Sequence, residues 1–93
     1  MATRMDNHPA PATPDAYADW INARIGAEVQ RRREALGLSA YALARDAQVS
    51  DQTILNIEQG NLLNGPFSGT LARIAFRFGT KLGELIETAE SRP

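Results

Sequence analysis

The chain contains no cysteine, which excludes disulfides and thiolate metal sites. Its one histidine, His8, stands among ligand-poor neighbours, so neither a metal cluster nor a cofactor is expected. No apolar run approaches the ~20 residues needed to cross a bilayer. No apolar signal core opens the sequence either, and a cytoplasmic protein is expected. Charge of neither sign prevails: 10 basic and 11 acidic side chains leave a net charge of −1. Such a balance provides no broad cationic surface for a polyanion, so any basic patch must be local. Enzyme chemistry also lacks its parts. There is no nucleophile–base set, no glycine-rich phosphate loop and no pair of carboxylates placed across a recognisable pocket. Asp15 and Asp19, four residues apart, read as a solvated acidic face.

What is present is enough apolar material for one core. Hydrophobic residues make up 43% of the 93 positions and charged residues 23%, the balance of a single small domain. Residues 1–13, with Pro9 and Pro11, bury too little to order themselves and read as a disordered arm. Thr13-Pro14-Asp15 then marks a helix start, a capping hydroxyl followed by proline and an acid in the first turn. Tyr17, Ile21, Ile25 and Val29 recur every fourth residue and form one face of a long helix ending at Gly37. Gly26 lies inside that helix, where it implies close packing or a kink.

Shorter helices follow at close intervals. Ser39 caps one running from Ala40 to Ala47, and Ser50 caps the next, from Asp51 to Gln59, with Gly60 as its stop. Residues 61–67 carry turn signals. Ser68 is placed as the cap of a fourth helix bearing Leu71, Ile74, Ala75 and Phe78, and Thr80 as the cap of a fifth bearing Leu82, Leu85 and Ile86. No strand-like alternation interrupts the pattern. The fold class expected is all-α, a compact five-helix bundle with an extended first helix, spanning residues 14–90. Leu43, Ile54, Ile57, Phe67, Leu71, Ile74 and Leu85 are its core candidates.

The segments 39–47 and 50–60 are two short helices joined by a tight turn, the second opening on a small polar cap. That is the geometry of a helix-turn-helix, in which one helix braces and the other enters the major groove of DNA. The residue order is more specific than the geometry. Ile25-Gly26 with Val29 and Arg33, Gly37-Leu38-Ser39, Leu43-Ala44, Val49-Ser50, Thr53-Ile54, Ile57-Glu58-Gln59-Gly60 and Leu71 through Leu85-Ile86 resemble the Cro/C1-type (xenobiotic-response-element type) helix-turn-helix family. The resemblance covers about two-thirds of the chain and implies a lambda-repressor-like DNA-binding domain.

Position by position, the resemblance assigns Ser50, Asp51, Gln52 and Asn56 to base edges. It assigns Thr53, Gln59 and the amides near Ser39 to phosphate, and it makes Arg33 and Glu58 an ion pair joining the first helix to the recognition helix. Amide side chains at 52 and 56 suit adenine, which offers an acceptor and a donor side by side. Arg31 and Arg32 read either as further phosphate contacts or as a solvated charge run.

Four positions depart from the family pattern. Ala40 stands where a glutamine often binds phosphate. Asp51 places a carboxylate on the reading face, where it repels phosphate but accepts from cytosine. Leu62 and Leu63 replace basic loop residues, and Gln48 occupies a turn suited to glycine.

Two classes of function therefore stand. The first is a sequence-specific transcriptional regulator, repressor-like, binding double-stranded DNA as a homodimer. One such domain reads few base pairs, and a two-fold pair reads half-sites about 34 Å apart. Tyr17, Trp20, Leu82 and Ile86 either supply that dimer contact or complete the monomer core. The second is a protein-interaction module, antitoxin-like or an accessory subunit, which uses the same fold to bind a protein partner. The acidic balance, Ala40, Asp51 and the apolar loop motivate it.

Overall fold

A computed structural model describes residues 11–61 and 67–92. The expected arm 1–13 therefore lies mostly outside the described residues, as do Leu62 and Leu63. Five helices are described: α1 (Pro14–Ala35), α2 (Ala40–Ala47), α3 (Asp51–Glu58), α4 (Phe67–Phe78) and α5 (Leu82–Ser91). No described helix is long and apolar enough to cross a membrane.

Local chemistry sets most helix ends. The Thr13 hydroxyl accepts from the Ala16 amide at 3.2 Å, Ser39 from Ala42 at 3.0 Å and Ser50 from Thr53 at 3.1 Å. Each satisfies one of the amides that a helix start leaves without an internal partner. At the other end, Gly37 turns left-handed at φ 70°, while the Leu38 amide reaches back to the Arg33 carbonyl at 3.0 Å. Gln48 closes α2 in the same way at φ 62°, the one non-glycine residue described with positive φ.

Two expected caps are corrected. Phe67 is already helical, so Ser68 falls inside the first turn of α4 and does not cap it. Serine suits the first turn as well as the cap because the amides of both lack helical partners. Thr80 does not cap α5; Lys81 occupies that position without a side-chain bond. The Thr80 amide is committed to closing α4 on the Ala75 carbonyl at 3.0 Å, and its hydroxyl donates to Glu84 at 2.5 Å.

The core draws on every helix: Ile25 and Val29; Leu43, Ala44 and Ala47; Ile54 and Ile57; Leu71, Ile74 and Ala75; Leu85 and Ala89. Burial along the apolar stripe of α1 increases from Tyr17, 37% exposed, through half-buried Ile21 to Val29, fully buried. The C-terminal half of α1 is therefore locked into the core, while its N-terminal turns are less buried and lie against α5. Gly26 marks the crossing with α3. A Cβ there would lie 2.2 Å from the Ile57 carbonyl oxygen and 2.9 Å from that of Glu58. The implication of close packing at Gly26 holds.

Candidate nucleic-acid interface

Residues 39–60 place α2 and α3 on either side of the Gln48–Ser50 turn, and the two helices pack closely on each other. Ile54 and Ile57 anchor one side of α3 in the core. The 3.6-residue repeat then turns Asp51, Gln52, Leu55 and Gln59 outward, all exposed, with Asn56 and Thr53 half-buried at the edges of that face. Gln52 Nε2 donates to Asn56 Oδ1 at 2.9 Å, the i,i+4 contact of a helix surface. This bond uses Gln52 Nε2 and Asn56 Oδ1 and leaves Gln52 Oε1 as an acceptor and Asn56 Nδ2 as a donor. Ser50 Oγ and Thr53 Oγ1 lie 2.9 Å apart at the helix start, next to the exposed carboxylate of Asp51.

The brace around α3 is built from arginines. Arg33 of α1 donates through Nε to Glu58 Oε2 at 2.7 Å and through Nη2 to Glu58 Oε1 at 3.0 Å. Its Nη1 donates to the Leu38 carbonyl at 2.8 Å. One guanidinium thus joins α1, the α1–α2 turn and the C-terminal end of α3. The hydrogen bond to Glu58 pushes the Arg33 pKa up, against the opposing effect of burial. On the other side, Arg73 Nε of α4 donates to the Ala47 carbonyl at 2.6 Å and completes the end of α2. Arg77 Nε reaches Asp46 at 2.6 Å.

Arg31 and Arg32 are employed differently from Arg33. Both bind Glu28, Arg32 Nε at 2.7 Å, and Arg92 adds a bond at 2.5 Å from beyond α5. This engagement lies on the α5 side of α1, whereas the α3 side is taken by Arg33. Glu28 is fully buried. Burial pushes its pKa up, but the bonds from Arg92 and Arg32 outweigh that effect and hold the carboxyl below its ordinary value.

The other residues considered for contacts are placed as follows. Tyr17 and Trp20 lie on the N-terminal turns of α1, ring centroids 5.6 Å apart, with the Tyr17 hydroxyl donating to Glu90 of α5 at 2.9 Å and the Arg24 guanidinium 4.7 Å above the Trp20 ring. Leu82 and Ile86 are half-buried against the core. Among the described residues, no group of His, Asp or Glu side chains is arranged to hold a metal.

Several features escaped the sequence reading. A glutamate next to an apolar stripe looks solvated, so burial of Glu28 had no local signal. Its partner Arg92 is 64 residues away. Leu55 was legible in principle, because it falls three residues after Gln52, on the face opposite Ile54 and Ile57.

With this geometry in view, the comparisons are informative. Residues 24–87 match the helix-turn-helix domain family, and the chain belongs to it. That is the class implied by the Cro/C1-type resemblance. Among solved structures, the clp gene regulator ClgR from Corynebacterium glutamicum superposes with a TM-score of 0.68 at 21% identity, over 88% of this chain and 77% of that one. A second structure of ClgR gives 0.67 at 21% identity, over 88% and 92%. At this identity the likeness is one of fold. No curated protein matches the sequence.

Proposed function

We propose that this protein is a sequence-specific DNA-binding transcriptional regulator that inserts α3 into the major groove. The observation that carries the reading is the outward face of α3. Its two amides are mutually hydrogen-bonded, and the helix itself is fixed from behind by Arg33 and by the core. A helix presented in this way fits the major groove, where adenine accepts a paired donor and acceptor. Gln52 and Asn56 read bases, Asp51 and Ser50 contribute at the helix start, and Thr53, Gln59 and the first amides of α2 beside Ser39 meet phosphate. Arg31 and Arg32 are assigned to Glu28 and not to phosphate. The fold neighbour ClgR is a clp gene regulator, and regulation of genes is the role proposed for this chain too.

The acting form proposed is a repressor-like homodimer, since one such domain spans too few base pairs to be selective. Its proposed contact is the aromatic pair on the N-terminal turns of α1, exposed Tyr17 and half-buried Trp20, with Leu82 and Ile86 contributing their partly exposed edges. The test is fluorescence anisotropy on labelled duplexes from the upstream region of the protein's own gene, at two salt concentrations with competitor DNA. Salt-dependent binding that survives competitor and weakens on Gln52→Ala with Asn56→Ala supports the reading. Binding unchanged by that double substitution refutes base reading by these amides.

One observation favours a second reading. Phe76 of α4 is 85% exposed, an apolar surface that none of the proposed DNA contacts uses. A protein partner on that surface fits an accessory-subunit role. Absence of binding to any duplex at low salt, by a folded sample, points to this alternative.

A further inference from the structure

The outward face of α3 is polar except at its centre. Leu55 lies three residues from Gln52 and four from Asp51 and Gln59, so these side chains surround it. It is 38% exposed and does not belong to the core that Ile54 and Ile57 enter. Over a third of its surface stays open to solvent, where Ile54 keeps none and Ile57 2%, so the monomer does not use the whole of this apolar side chain.

We propose that Leu55 is a specificity-determining residue that packs against the C5-methyl group of a thymine, beside the base edges met by Gln52 and Asn56. The inference rests on the groove-reading role assigned to α3 above and names the base class that this face selects. The thymine methyl is the apolar group that base pairs display in the major groove, and apolar side chains recognise it by contact. Polar base edges beneath Leu55 would lose water without gaining a hydrogen bond, which disfavours them. The neighbouring amides act in the same direction. Gln52 and Asn56, hydrogen-bonded to each other at 2.9 Å, retain an acceptor and a donor that suit adenine. Adenine is paired with thymine, so amide reading and methyl contact are satisfied together by a half-site rich in A·T pairs.

The experiment removes only the methyl group. A duplex is first selected from a random pool by the wild-type protein. Thymines in one half-site are then replaced one at a time by deoxyuridine, and binding is measured for wild type, Leu55→Ala and Leu55→Met. The expected result is one position at which wild type weakens about fourfold, the value of burying one methyl group. Leu55→Ala binds the thymine and deoxyuridine duplexes equally at that position, while Leu55→Met retains part of the difference. Thermal melting checks that each variant is folded. Wild-type indifference to every replacement, or an undiminished fourfold effect in Leu55→Ala, overturns the proposal and leaves DNA reading by α3 standing. Failure of the wild type to select or bind any duplex removes the groove-reading role itself, and the proposal falls with it.

Discussion

Arg33 and Glu58, 25 positions apart in sequence, meet through two parallel hydrogen bonds of 2.7 and 3.0 Å with only 13% and 6% of their side chains exposed. The planar fork of arginine matches a carboxylate in this way, and lysine does not. Removing one partner leaves the other charged and poorly hydrated. Glu58→Ala is therefore expected to cost about 3 kcal/mol of unfolding free energy. Arg33→Lys should lose much of the same stability despite keeping its charge. Urea denaturation of both variants decides the point, and a loss below about 0.5 kcal/mol would mean that the pair behaves as an ordinary surface salt bridge.

Gly26→Ala should destabilise although alanine is the better helix former. Propensity alone favours the change by about 1 kcal/mol. The added methyl, however, meets the Ile57 carbonyl oxygen at 2.2 Å, and what must yield is backbone. Overpacking of this kind costs roughly 1–3 kcal/mol, so a net loss is expected in chemical denaturation. A more stable variant would show that α1 and α3 separate at little cost.

Glu28 gives the protein an acid-sensitive joint. Its carboxyl is held below its ordinary value, so the folded state binds this proton less readily than the unfolded chain does. The stability it contributes is full above the unfolded pKa of about 4.3 and is lost as pH falls through the lower folded value. Glu28→Gln should lower stability at neutral pH and flatten the decline below about pH 4.3 relative to wild type. Denaturation midpoints measured from pH 7 to pH 3 test this, and parallel curves for the two proteins would refute it.

Gln48→Gly should stabilise modestly, by about 0.5 kcal/mol, because φ 62° burdens a side chain with a Cβ and not glycine. Gln48→Val at the same position should destabilise, since a β-branched residue tolerates that conformation least. Thermal melting of the two variants should move in opposite directions. A fall in melting temperature for the glycine variant would mean that its greater freedom in the unfolded chain dominates.

Much of this molecule was legible from local chemistry. The boundaries of α2, the serine caps at 39 and 50, and the stops at Gly37 and Gly60 depend on residues within a few positions of one another. The same logic misplaced the caps of α4 and α5, because α4 already begins at Phe67 and Thr80 is committed to closing α4 and to Glu84. Arg33 and Glu58 were paired through family resemblance, since no local rule brings together residues 25 apart. The division of the Arg31-Arg32-Arg33 run was not legible. Successive residues on a helix point about 100° apart, so one arginine meets α3 while its neighbours turn toward Glu28. Leu55 went unassigned because an apolar residue on a helix is ordinarily counted toward the core, although the helical repeat already sets it away from Ile54 and Ile57.

The crossing at Gly26 also has a mechanical meaning. Where helices meet through long side chains, rotamer changes absorb small displacements and the joint is compliant. Here a bare segment of α1 bears directly on the last carbonyls of α3, so the joint is stiff. Nearer its N-terminus α1 is held by softer polar links, Tyr17 to Glu90 and Arg24 to the Ala89 carbonyl, so the helix is gripped rigidly by α3 and more pliantly by α5.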